Sequence, residues 1–170
     1  RDETERVDVL RAISPYLRDD AVDQALALVA AFTDDQSRAD GLLVLAPFLS
    51  SASAQRVLAQ IKARADLLSN PDSTMVLVLR ALIPRLGEQA LPSALELTRT
   101  ISDFVRMRWV MIAFLERYHS DAREALLREI VPGIKANLKM LFHDAVFALL
   151  WDLAPYLRGD DLRWAIDYTR

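Results

Sequence analysis

Two histidines, His119 and His143, and three acidic pairs, Asp19-Asp20, Asp34-Asp35 and Asp160-Asp161, are the residues whose types could do acid–base or metal chemistry. A helix-borne zinc site sets two imidazoles on one face, and the chain has no His-x-x-x-His pair. His119 is expected near a helix C-terminus, where partial positive charge is favoured, and His143 with Asp144 as a helix-surface pair. A two-carboxylate hydrolase brings its carboxyls to about 5 to 10 Å in a cleft. Each acidic pair instead falls at an expected helix start, where capping and the helix dipole account for it. Four scattered glycines cannot build a phosphate loop, and no serine sits in a nucleophile-elbow context. No catalytic, metal or cofactor residue is assigned, and the chain reads as non-enzymatic.

The cations Arg99, Arg106, Arg108, Arg117, Arg123, Arg128, Lys135 and Lys139, with Trp109 and Tyr118 among them, could track phosphates. Glu88, Glu96, Asp103, Glu116, Asp121, Glu124 and Glu129 interleave with them and leave a local net of +1. Phosphate contacts need concentrated charge, so a solvated helix surface is the better reading. The whole chain carries −3, with 5 basic and 10 acidic side chains in residues 1–50.

The elements that must position these residues are helical. Leucine and alanine dominate 170 residues with few glycines, and 52% of the chain is hydrophobic against 26% charged. No run of about 18 uncharged apolar residues and no basic-then-apolar leader occurs, so no membrane span is expected. Without cysteine there are neither disulfides nor thiolate sites.

Apolar spacing predicts ten helices. The first runs from Thr4 to Leu17 with Pro15 bending its end. The second opens at Asp19-Asp20. Thr33 to Gln36 has capping-box form ahead of the third, Asp35 to Leu49. The fourth spans Ala52 to Leu68, and Asn70-Pro71 restarts the chain as N-cap and first helical residue. The fifth carries Met75 to Leu86, and the sixth follows Gly87 with Pro92 in its first turn. Ser102-Asp103 cap the seventh, which carries Trp109 to Tyr118. The eighth starts at Ser120 and is expected to end at Pro132-Gly133. Ile134 to Phe142 is read either as an extension of the ninth or as a short extra helix. Asp160-Asp161 open the tenth.

A unit recurs through these helices: leucines at helical spacing, then proline between apolar residues. Its register positions are Pro15, Pro47, Pro84, Glu116 in place of proline, and Pro155, with steps of 32, 37, 32 and 39 residues. Helix-pair solenoids have periods of about 34 to 47 residues, and stacked pairs share one continuous core. The expected fold is therefore all-α, a right-handed α-solenoid of about five antiparallel helix pairs. Residues 1–170 are expected to form one helical-repeat domain. Opening on Arg1 and stopping at Arg170 within a helical pattern, it reads as a fragment of a larger multidomain protein.

Leu42-Leu43-Val44-Leu45-Ala46-Pro47-Phe48-Leu49 and Leu150-Trp151-Asp152-Leu153-Ala154-Pro155-Tyr156-Leu157, with Ala90-Leu91-Pro92-Ser93-Ala94-Leu95 as the second-helix part, carry a resemblance. The unit resembles the HEAT/TPR-like α-helical repeats of bacterial signalling proteins, notably those behind STAND-type (NACHT or NB-ARC) nucleotide-binding modules. The resemblance covers most of the chain and departs at Glu116. It implies a sensor or scaffold array in a cytoplasmic signalling or defence protein, with the chemistry carried by another domain.

Partner contacts are expected on the second helix of each pair, at Gln24, Gln60, Arg64, Arg99 and Arg128. Trp164 is the interface aromatic, whereas Trp151 and its neighbour Leu150 are assigned to the core. The expected partner is a protein, a peptide or another domain of the same chain. The rival readings are a HEAT-like nucleic-acid array, or an enzyme of that build acting on DNA bases, and a purely structural oligomerisation domain.

Overall fold

A computed structural model of the chain describes residues 2–64, 74–137 and 143–169, and the backbone alone at 19 and 143–145. The expected Asn70-Pro71 restart lies outside these residues, as do the side chains of His143 and Asp144. The described residues are all-α, with no strand among them. The α-helices are α1 Glu3–Ile13, α2 Asp19–Ala30, α3 Asp35–Leu45, α4 Ser51–Ala63, α5 Met75–Leu82, α6 Leu91–Arg99, α7 Phe104–Leu115, α8 Ser120–Asn137, α9 His143–Leu153 and α10 Gly159–Tyr168. They gather into two compact units, residues 1–102 and 103–170.

Proline shapes the first unit at three places. α1, α3 and α5 each tighten into a single 3₁₀ turn, Ser14–Tyr16, Ala46–Phe48 and Ile83–Arg85, with proline in its first turn. Proline has no N–H to continue the α ladder and crowds the preceding turn, so the chain narrows instead of running on. The next residue (Leu17, Leu49 or Leu86) is extended at ψ near 140° and bonds back to the first carbonyl of the turn. Leu49 and Leu86 are thereby driven into the core. The first and third helices therefore stop four residues short of the expected Leu17 and Leu49.

Side chains on both sides of each junction hold the repeats of the first unit together. Gly41 on α3 lets Val29 of α2 approach so closely that a Cβ there would meet its methyls at 2.8 and 3.0 Å. Glu3 spans from α1 to the start of α3, its carboxylate accepting from Thr33 N at 2.9 Å, Thr33 Oγ1 at 3.1 Å and Asp34 N at 3.0 Å. The expected capping box is displaced as a result. Thr33 serves Glu3, the N-cap is Asp34 accepting from Ser37 N at 2.6 Å, and Gln36 donates to Asp40 and Thr74.

In the second unit Asp103 caps α7 through Arg106 N, and Pro132 stands inside α8 without ending it. Leu126, Ile130 and Ile134 continue one buried stripe through it, each such residue contributing about 1.5 to 3 kcal/mol. Pro132 itself lies on the exposed side, where the carbonyl it leaves unpaired can meet water. Ile134 to Asn137 thus belong to α8 and not to the following helix, and residues 138–142 lie outside the described ones. Gly133 gives Arg108 of α7 its place, since a Cβ there would meet the guanidinium at 2.7 Å. That guanidinium lies 5.0 Å over the Phe104 ring.

Candidate functional site

The acidic pairs are spent on helix starts and ion pairs. Asp35 receives Arg38 at 2.7 Å and a fork from Arg64, with Nη1 at 2.6 Å from Oδ1 and Nη2 at 2.8 Å from Oδ2. Asp161 receives Lys135 at 2.7 Å. Glu116 and His119 have Glu-x-x-His spacing but stand between α7 and α8, outside any helix. His119 immediately precedes α8 and does not sit at a helix C-terminus; its Nδ1 lies 3.5 Å from Arg123. Among the described residues no three acidic or imidazole side chains gather as metal ligands. No helix there is long and apolar enough to cross a membrane.

What the described residues do offer is two clefts, one between α4 and the start of α6 and one between α8 and the start of α10. In the first unit Gln55, Leu58, Ala59 and Lys62 of α4, with Gln89, Ala90 and Ser93 at the start of α6, line a cleft of about 350 Å³. In the second, Glu124, Leu127, Arg128, Val131 and Pro132 of α8 face Tyr156, Leu157, Arg158 and Asp161 across about 410 Å³.

The two linings share their repeat register. Counted from Pro47 and from Glu116, the same four positions are used: eight, eleven, twelve and fifteen residues on. On the far wall Ala90 and Asp161 correspond as well, each six residues past its proline. Both clefts have leucine eleven residues on, Leu58 or Leu127, and one long cation each at a different register position, Lys62 fifteen residues on where the second cleft has Val131 and Arg128 twelve residues on where the first has Ala59. Arg128 is held by Glu124 at 2.7 Å. Burial raises the Tyr156 phenol above its ordinary value, the Glu116 carboxylate adds to the shift, and Arg123, 5.6 Å over its ring, opposes it.

Of the residues expected to make contacts, Arg128 lines a cleft. Gln24 and Gln60 are exposed outside the clefts, Arg64 is committed to Asp35, and Arg99 pairs with Glu96 at 2.5 Å. Trp164 is half-buried, covered by Lys135 Nζ at 4.7 Å and beside Tyr168. The exposed tryptophan is Trp151, expected in the core yet 83% exposed. It falls on the opposite side of α9 from Leu149, Leu150 and Leu153, which are buried. Sequence reasoning missed Gln55, Lys62, Gln89 and Ser93. Carrying the proline register into the second helices would have aligned Gln55, Leu58, Ala59 and Lys62 with the α8 residues. Compared with protein-family models, curated proteins and solved structures, the chain matches none.

Proposed function

We propose that this chain is a right-handed α-solenoid of about five antiparallel helix pairs that serves as a non-catalytic recognition or scaffold module. It takes a protein or peptide in the clefts between its second helices. The observation that carries this reading is the recurrence of one cleft at one set of repeat positions in both units. A recurring amphipathic cleft with a cation at its rim suits a chain that offers an apolar side chain and a nearby carboxylate. Ion pairs formed by Arg64, Arg99 and Lys135 favour a protein partner over nucleic acid, because these cations are already engaged within the protein. The resemblance to repeats behind STAND-type nucleotide-binding modules supports reading such an array as the sensor region of a bacterial cytoplasmic signalling or defence protein.

Selection of a displayed random-peptide library on the 170-residue chain tests this. Acidic–apolar peptides should emerge, and Lys62→Glu or Arg128→Glu should weaken them about tenfold, near 1.4 kcal/mol. Peptides indifferent to both substitutions, or a salt-dependent shift of random duplex DNA, would overturn the reading.

A further inference from the structure

The three proline turns of residues 1–102 share an edge that the clefts leave unused. α1 packs against α3, and α5 packs against α3 and against the Ala46–Phe48 turn. The starts of these helices are tied side to side: Glu3 accepts from Thr33 and Asp34, and Gln36 donates to the Thr74 hydroxyl. Glu3 stands twelve residues before Pro15, and Thr33 and Asp34 stand fourteen and thirteen before Pro47. Gln36 stands eleven before Pro47, and Thr74 ten before Pro84. Each tie therefore joins positions within two residues of one register, about 3 Å of helix. Packed helices tied level at their starts end level, so Pro15, Pro47 and Pro84 stand in one row, about 8 to 10 Å from turn to turn.

Each turn offers solvent its proline and the residue after it, since Pro15-Tyr16, Pro47-Phe48 and Pro84-Arg85 are all exposed. Tyr16 is 83% exposed and Phe48 38%. The turn needs no aromatic at that position, because Arg85 takes it in the same 3₁₀ geometry. Nor does the exposure follow from a missing neighbour, since α3, which leads to Phe48, has α1 on one side and α5 on the other. In residues 103–170 the corresponding side chains, Arg117 and Tyr156, are half-buried, so the row belongs to residues 1–102. Exposed rings beside exposed prolines, ending in a cation, are what the packing of this unit leaves unexplained.

We infer that this edge binds a proline-rich segment in the polyproline-II conformation, with prolines three residues apart on the Tyr16 and Phe48 turns and a carboxylate three residues further on at Arg85. A polyproline-II helix presents the same face every three residues, about 9.3 Å, which matches the row. A β-strand repeats its face at about 6.8 Å and an α-helix at about 5.4 Å, and neither does. Prolines dock on exposed aromatic rings, and a segment already extended has little conformational entropy to lose. The Arg85 guanidinium supplies the charge that a carboxylate on the segment complements. This edge is separate from the clefts and does not rest on them, so Lys62→Glu should leave it unchanged.

Fluorescence anisotropy on the full chain tests this with two labelled probes, Pro-Pro-Ala-Pro-Pro-Ala-Glu and its reverse sequence. At least one should bind saturably with a dissociation constant below roughly 1 mM. Tyr16→Ala and Phe48→Ala change exposed residues and should keep the helical circular dichroism, yet each should weaken binding about tenfold. Arg85→Glu should weaken it about fivefold, and exchanging the peptide's glutamate for lysine should restore it. Replacing the peptide's prolines by alanine should abolish binding. No saturation by either probe up to roughly 1 mM, or equal binding of the alanine peptide, would overturn the inference. Affinity untouched by Tyr16→Ala and Phe48→Ala would overturn it as well. Affinity lost in Lys62→Glu would overturn it too, by moving the peptide into the cleft and leaving the recognition reading in place.

Discussion

Pro47 and Glu116 hold the same place in their repeats and end their helices differently. After Pro47 the chain makes a 3₁₀ turn, buries Leu49 and starts α4 from a Ser50 cap whose hydroxyl accepts from Ser53 N at 3.1 Å. After Glu116 it makes a plain turn in which Arg117 and Tyr118 both bond the Phe114 carbonyl. Tyr118 then stacks on Phe114 with centroids 5.8 Å apart, and α8 opens on Ser120 at φ 46°. A left-handed φ at a non-glycine residue costs about 1 kcal/mol or more. In residues 1–102 proline thus standardises the passage from one helix to the next, whereas in residues 103–170 Glu116 and Pro155 share the plain turn, Tyr156 and Leu157 both bonding the Leu153 carbonyl. Both passages lead to second helices that place their cleft residues in one register.

The largest effect that would sharpen this contrast comes from the two helical glycines. Gly41→Ala should destabilise by about 1 to 2 kcal/mol net, because the buried, stiff Val29 cannot yield and overpacking exceeds the helix-propensity gain. Gly133→Ala should stay within about 1 kcal/mol, since the guanidinium end of Arg108 can shift. Urea denaturation of both variants decides it, and equal losses would show the second unit to be packed as rigidly as the first.

Next comes the clasp at the start of α3, where the backbone N–H groups of Thr33 and Asp34 hold the Glu3 carboxyl below its usual range. Asp34 is lowered too, by the Ser37 hydroxyl first and the Ser37 backbone N–H second. A group whose value falls on folding contributes fully above its unfolded value, and that contribution is lost as pH falls through the folded one. Melting temperature should therefore drop on acidification below the ordinary carboxylate range. Glu3→Gln should lower it at neutral pH and flatten that drop; an unchanged acid limb would assign the acid sensitivity elsewhere.

The smallest effect is expected from Glu116→Pro. With φ of −72° the site already suits proline, and stability should move by less than about 1 kcal/mol. A loss near the ~3 kcal/mol of an interior proline would mean that the last turn of α7 depends on the Glu116 N–H.

The helices and the proline register were legible because both are written in local spacing. Misreadings arose where a distant residue or a facing decided. Thr33 looked like a cap until Glu3, thirty residues away, drew off its hydroxyl. Pro132 looked like a terminator, but the buried stripe of Leu126, Ile130 and Ile134 on either side of it outweighs one lost hydrogen bond. Trp151 and Leu150 are neighbours in sequence, but adjacent residues of a helix face different ways. The cleft residues were the least legible, since they align only when the proline register of one helix is carried on into the next.

The placement of the tryptophans has a spectroscopic consequence. Trp109 donates to Asp152 at 3.0 Å, Trp151 stands in solvent and Trp164 lies beneath Lys135, and residues 1–102 contain none. Intrinsic tryptophan emission therefore reports on residues 103–170 alone, while far-ultraviolet dichroism sums helix over the whole chain. Following both through one denaturation makes each unit its own observable, so any lag between the curves measures how tightly the halves are coupled.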